Sequence, residues 1–261
     1  MGIEHNRIYN EDCLKTLKKM KDDSVDVVIT SPPYNMNLRI SNGRYHSRQI
    51  VKEISTKYTE FDDNLPIEDY FNFHMKVMQE LIRVSDLVFY NISIVTGSKR
   101  SVFRMIGELN EYLKDIIIWD KGYGQPSIQK QVLNRRTELI LVFEKDYPVS
   151  RQFRKKGKFE RGRLDDIWEI SREQSGKESH QAVFPQKLVQ TILENFSEEG
   201  DIIYDPFIGT GTTALTAKKM NRKYVGSEIS KKYVKIANDR LKNATDLFNY
   251  TSGKNKNVKK A

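Results

Sequence analysis

At 261 residues, 38% hydrophobic and 30% charged, the chain is long enough for one large α/β domain, and its short apolar runs exclude a transmembrane helix and a disordered polymer. The single cysteine, Cys13, excludes an intramolecular disulfide, and Cys13 with His5, His46, His74 and His180 offers no zinc-ligand spacing, so no metal is expected. A net charge of +9 favours a polyanionic partner without naming it, and residues 1–10 lack the apolar core of a secretory signal, which makes the cytoplasm the expected compartment.

From the amino end, the spacing predicts a helix over 12–20 and a strand over 25–30. Residues 35–64 sustain neither a period of two nor of 3.6 and read as a long loop. A helix over 67–84, a strand over 87–92, a helix over 97–112 and strands over 115–119 and 139–143 follow. Residues 145–163 carry Lys145, Arg151, Arg154, Lys155, Lys156, Lys158, Arg161 and Arg163 against Asp146 and Glu160, with Phe153 and Phe159 interleaved. That is the pattern of a phosphate-tracking surface, for which a solvated basic loop is the plain alternative. Helices over 185–196, 212–220 and 231–241 alternate with strands over 201–204 and 223–226, and the Lys-rich residues 251–261 read as a disordered tail. The alternation predicts a mainly parallel sheet with helices on both faces. No internal repeat is visible.

Two constellations carry chemistry. In the first, Asp205-Pro206-Phe207-Ile208-Gly209-Thr210-Gly211-Thr212-Thr213-Ala214 joins a predicted strand to a predicted helix. Gly209, Gly211 and Ala214 fit the spacing that allows a tight turn and close backbone approach to a nucleotide-like ligand. Glu228 follows the next strand, where a carboxylate can accept hydrogen bonds from ribose hydroxyls. The lysine of a phosphate-binding loop is missing after Gly211, which disfavours ATP or GTP hydrolysis. Asp205 suits a cofactor bearing an ammonium group better than one bearing a pyrophosphate.

The second is Thr30-Ser31-Pro32-Pro33-Tyr34, which directly follows the strand over 25–30. It belongs at the carboxyl edge of the sheet, where open α/β folds place ligands. Two prolines fix successive φ angles and remove two donors, so the loop is rigid and rich in acceptors. An exocyclic amino nitrogen is a poor nucleophile because its lone pair is delocalised into the ring. If the Ser31 hydroxyl and the Pro32 carbonyl accept its two hydrogens, the lone pair is freed toward an electrophilic methyl, while Tyr34 stacks on the extruded base. Alone, a Pro-Pro turn after a strand is more often a plain strand terminator.

Together, Ser31-Pro32-Pro33-Tyr34 and Phe207-Ile208-Gly209-Thr210-Gly211 resemble the catalytic and cofactor loops of the DNA amino-methyltransferases that modify adenine N6 or cytosine N4. Their order, with the basic insert between them, is that of the permuted β class. The resemblance covers about residues 7–242. It implies a Rossmann-like fold with about seven mostly parallel strands, S-adenosylmethionine as cofactor, and duplex DNA with a flipped base as substrate. One permuted domain over 1–250 is implied: a catalytic half to about 144, a target-recognition segment at 145–163, and a cofactor half at 164–250. Asp12 and Cys13 resemble a segment near the cofactor adenine, with Glu11 in place of the usual glycine. Asp205, Phe207, Gly209, Gly211, Thr212 and Glu228 would hold the cofactor, and Lys187, in a segment running from Asp166-Ile167-Trp168 to Phe184-Pro185-Gln186-Lys187, would meet its carboxylate. Arg39, Arg44 and Arg48 in a mobile loop, Lys121 of Trp119-Asp120-Lys121, and Arg151, Arg154, Lys155, Lys156, Lys158, Arg161 and Arg163 of the basic segment would meet DNA. Serine in the catalytic loop leans toward cytosine N4, with adenine N6 as the alternative. RNA or protein-glutamine methylation and a silent nucleic-acid-binding fold are the remote ones. The resemblance also admits a homodimer, as several relatives form, and a companion restriction endonuclease not required for activity.

Overall fold

The protein is described by a computed structural model covering residues 2–35, 39–41, 44–46, 65–95, 97–124, 130–146, 149–153, 156–172 and 184–254, with backbone alone at 39–41, 44–46 and 245–254. The elements in chain order are β1 (Arg7–Tyr9), α1 (Cys13–Leu17), β2 (Val25–Thr30), β3 (Arg39–Ser41), β4 (Arg44–His46), α2 (Ile67–Val84), β5 (Ser85–Ile92) and α3 (Lys99–Glu108). They continue with β6 (Leu113–Asp120), β7 (Thr137–Glu144), β8 (Ile167–Glu169), α4 (Gln186–Phe196), β9 (Ile202–Asp205), α5 (Thr212–Lys219), β10 (Lys223–Ser227) and α6 (Lys231–Lys254).

Eight strands form one sheet in the order β1-β10-β9-β2-β5-β7-β6-β8. All neighbours are parallel except β7, which runs against both β5 and β6. The predicted α/β sheet is therefore present, with β1 and β8 added as edge strands of three residues, too short to show a period. β3 and β4 form a separate antiparallel pair within the stretch read as a loop. Helix α6 continues to Lys254, past the predicted end at 241. Among the described residues no helix is long and apolar enough to cross a membrane.

The central strands are apolar on both faces because each face is covered. Val27, Ile29, Leu87, Phe89 and Ile203 pack with α4, α5 and α6 residues such as Leu188, Ile192, Ala214 and Ala237. Val28, Val88, Tyr90 and Tyr204 pack on the opposite layer with Leu17, Met78, Leu81 and Met105. Full burial of each such aliphatic side chain stabilises by about 1.5–3 kcal/mol.

One feature of the strand order positions the site. β2 and β9 are neighbours, with Val27 opposite Ile203. From β2 the chain crosses to β5 on one side, and from β9 it crosses to β10 on the other. The pair is thus a topological switch point, which opens a crevice at the strands' carboxyl ends. The Pro-Pro loop and the glycine turn leave the sheet side by side there.

Candidate active site

The two loops are joined directly. Thr30 Oγ1 donates to Asp205 Oδ1 at 2.7 Å, and Thr213 Oγ1 donates to Oδ2 at 2.6 Å. Phe207 N–H also reaches Oδ1 at 3.0 Å. Asp205 is only 4% exposed, and burial pushes its carboxyl up to about 6 despite these donors. It acts as a keystone linking the end of β2, the glycine turn and the start of α5.

Ser31 and Tyr34 face one another across the Pro-Pro loop, with Ser31 Oγ 2.8 Å from Tyr34 Oη. Tyr34 Oη donates to Glu138 Oε2 at 2.9 Å. Asn91 Nδ2 lies within 2.7 Å of Tyr34 Oη, 2.9 Å of Glu138 Oε2 and 3.3 Å of Ser31 Oγ. Lys121 Nζ closes the network on Glu138 Oε1 at 3.0 Å. From the α2 side, Tyr70 Oη donates to the Pro33 carbonyl at 2.8 Å. The neighbouring His74 is buried against the Tyr90 hydroxyl, and burial lowers its pKa to about 3, so it is neutral. Asn35 then pins both ends of the excursion over 36–64. Its Nδ2 donates to the Leu65 and Gly97 carbonyls, and its Oδ1 accepts from Leu65 N–H.

In the glycine turn, Gly209 and Gly211 both have positive φ, 51° and 84°. A Cβ on Gly211 would stand 2.7 Å from the Ala237 Cβ, so only glycine lets α6 approach. Beside Gly209 the space is open, with nothing nearer than 4.0 Å to a Cβ. Glu228 is half-buried, and its carboxylate accepts from Gly209 N–H at 3.0 Å and from Ser230 N–H at 2.9 Å. Glu228 N–H donates to Tyr9 O at 3.0 Å, which brings the chain around Asp12 alongside. Asp12 itself caps α1 by accepting from Leu14 N–H at 2.8 Å. Cys13 turns into the core, its thiol pushed up to about 12 by burial and by the Asp12 charge. An open glycine turn beside an oriented carboxylate fits a nucleoside-bearing cofactor.

Ser31, Pro32, Pro33, Tyr34, Asp12, Asp205, Phe207, Gly209, Gly211, Thr212 and Glu228 therefore gather at one edge of the sheet. Lys187 is exposed on the first turn of α4, and its neighbour Gln186 accepts from Lys219 Nζ at 3.4 Å. Lys121, expected on the DNA surface, is 3% exposed. The basic segment lies along the opposite edge, because β7 reverses and delivers the chain to the amino ends of β2 and β5. There Lys145 pairs with Asp23 at 2.6 Å, Lys156 with Asp26 and Asp201 at 2.8 and 3.1 Å, and Lys158 with Glu198 at 2.9 Å. Phe153 and Phe159 pack on Phe196, with ring centroids 5.0 and 5.3 Å away. Arg151, Arg161 and Arg163 are exposed along the same segment. Arg39 and Arg44 are described in backbone alone, and Arg48, Arg154 and Lys155 lie outside the described residues.

Sequence reasoning missed Asn91, Glu138, Tyr70 and Arg240. Arg240 Nη1 donates to the Thr210 carbonyl at 2.6 Å and so braces the glycine turn. The available signal was polarity out of place: Asn91 interrupts an apolar strand, and Glu138 sits just inside another.

A family profile described as DNA methylase matches residues 25–239. The type II methyltransferase M.BglII of Bacillus subtilis is 28% identical over 278 aligned residues, covering 94% of this chain and 71% of its own. The PvuII DNA methyltransferase, cytosine-N4-specific, shares the fold with a TM-score of 0.69 at 18% identity, covering 95% of this chain and 93% of its own. The complex of M1.HpyAVI with S-adenosylmethionine superposes with a TM-score of 0.60 at 21% identity, covering 90% of this chain and 99% of its own.

Proposed function

The chain belongs to the N6/N4 family of DNA methylases, and from that premise we propose that it methylates the exocyclic amino nitrogen of a base flipped out of DNA, cytosine N4 in preference to adenine N6. The observation that carries this reading is the 2.7 Å hydrogen bond from Thr30 to Asp205. It holds the acceptor-rich loop against the glycine turn at the switch point, so two bound ligands would meet there.

S-adenosylmethionine, when bound, supplies a methyl group on a positively charged sulfur. The protein's own groups do the rest. Glu228, oriented by two backbone N–H groups, presents the carboxylate that would accept ribose hydroxyls. Gly209, Gly211 and Thr212 let the backbone approach the nucleoside, Asp12 and the half-buried Phe207 border it, and Asp205 sets the turn's position. The Ser31 hydroxyl and the Pro32 carbonyl accept the two amino hydrogens, which draws the nitrogen toward sp³ geometry. Tyr34 offers its ring face to the base, and its hydroxyl is tethered by Asn91 and Glu138, so the ring cannot swing away.

The preference for cytosine rests on Ser31. Host protection beside a companion endonuclease and a solitary epigenetic mark are the two settings this activity would serve. The test is mass spectrometry of nucleosides from unmethylated DNA incubated with the protein and S-adenosylmethionine. N4-methylcytosine is expected, and a Ser31→Ala variant should lower its formation about 10²-fold. N6-methyladenine would overturn the base assignment, and methyl transfer confined to RNA or protein would overturn the proposal.

A further inference from the structure

The connection from β6 to β7 leaves and re-enters the sheet at the catalytic edge. Asp120 is registered with Thr137 at its root, and Lys121 N–H donates to Arg136 O at 3.1 Å. Its two limbs touch closely, since a Cβ on Gly124 would stand 2.9 Å from the Arg135 carbonyl carbon. The residues flanking the loop, Lys121 and Glu138, are the pair joined beneath Tyr34. A partner that binds residues 130–136 therefore stands close to that network.

Composition indicates what that partner is. Between Lys121 and Thr137 the chain carries Lys130, Arg135 and Arg136 and no acidic residue. Leu133 is 91% exposed, Tyr123 64% and Val132 50%. Three large apolar side chains within one basic loop gain nothing in solvent, whereas covering Leu133 would be favourable by the transfer of its whole side chain from water. Cations that neutralise phosphates, set beside an apolar wedge, suit a duplex whose stacking is opened. Extruding a base leaves a gap in the stack, and an apolar side chain can occupy it. The basic segment at 145–163 lacks this placement, because it runs along the opposite edge with three of its lysines in ion pairs.

We propose that residues 130–136, the described limb of this connection that leads into β7, engage duplex DNA and promote base extrusion, with Leu133 entering the stack and Lys130 and Arg135 holding flanking phosphates. This rests on the reading of the site as a DNA amino-methyltransferase. The test compares the full chain with a Leu133→Ala variant and a Lys130→Ala/Arg135→Ala variant on unmethylated genomic DNA, using radiolabelled S-adenosylmethionine, with calorimetric cofactor binding as the measure of an intact fold.

The double variant should raise KM for DNA about tenfold and reduce the slope of log affinity against log salt by about 1.8, which is two phosphate contacts at about 0.9 each. Leu133→Ala should keep KM within about threefold, lower kcat about tenfold on native DNA, and recover most of that on heat-denatured DNA, where the target is already unpaired. Unchanged KM, salt slope and kcat in both variants would overturn the proposal. So would equal losses for Leu133→Ala on native and denatured DNA, or loss of duplex affinity only in an Arg151→Ala/Arg161→Ala chain. A Leu133→Ala effect confined to self-association in sedimentation would assign the patch to a second copy and also overturn it. The salt slope is a binding measurement, so it tests the loop even if the unaltered chain methylates no DNA, a result that would count against the activity and not the loop.

Discussion

Replacing Glu138 with alanine should destabilise the protein far more than an ordinary surface carboxylate would. Glu138 Oε1 lies 3.0 Å from Lys121 Nζ, and the two side chains are only 9% and 2% exposed. Glu138→Ala leaves the Lys121 ammonium buried without its carboxylate, and removing one partner of a buried pair costs about 3–5 kcal/mol. That is a large part of the roughly 5–15 kcal/mol that holds a domain together. Burial already holds the Lys121 pKa below the ordinary lysine range. A depressed folded-state pKa favours the fold above the unfolded value and loses that contribution as pH falls through the folded one. The deficit of Glu138→Ala should therefore shrink as the buffer is made alkaline. Lys121→Met combined with Glu138→Leu removes both charges and should cost within about 1 kcal/mol of the native pair, yet methyl transfer should still fall because Tyr34 loses its acceptor. Urea unfolding of the native chain, Lys121→Met, Glu138→Leu and the double variant, with Glu138→Ala alongside, measures the coupling. If the double variant proves as unstable as Glu138→Ala, or if Glu138→Ala costs less than about 1 kcal/mol, the buried-pair account is wrong.

Two further outcomes follow from the glycine turn and its keystone. Gly211→Ala combines a left-handed backbone at φ 84° with a 2.7 Å approach to Ala237, about 1–2 kcal/mol for the first and 1–3 for the second; the sum, about 2–5 kcal/mol, should appear in the urea midpoint. Gly200→Ala, with φ 88° but nothing within 4 Å, should lose only the backbone part, and equal losses would show that the contact with α6 carries no weight. Asp205 has a folded-state carboxyl raised to about 6, so its contribution to stability is complete below about pH 4 and declines as pH rises through 6, by up to about 3 kcal/mol. Urea midpoints at pH 5 and 7.5 should show this trend and Asp205→Asn should flatten it; an unchanged trend in that variant would place the titration elsewhere.

Much of the site was legible in the chain itself. A Pro-Pro-aromatic turn after a strand of Val, Ile and Thr, a Gly-x-Gly turn between strand and helix, and a glutamate ending the next strand are local patterns. They report local conformation, and local conformation is dictated by sterics and spacing over a few residues. The same holds for the six predicted strands and the helices that cover them. The partners across the crevice were not legible in this way. Asn91 and Glu138 meet Ser31 and Tyr34 from strands 57 and 104 residues away from Tyr34, and only the strand order brings them together. Nor does a run of lysines carry any mark of the sheet edge it will occupy. The antiparallel run of β7 takes Lys145, Lys156 and Lys158 to the amino ends of the strands and leaves the root of the β6–β7 connection beside Ser31 and Tyr34. Spacing along the chain thus determined which chemistry the protein carries, whereas strand direction and neighbour order, set by burial of two apolar faces across the whole domain, decided which side chains share the site.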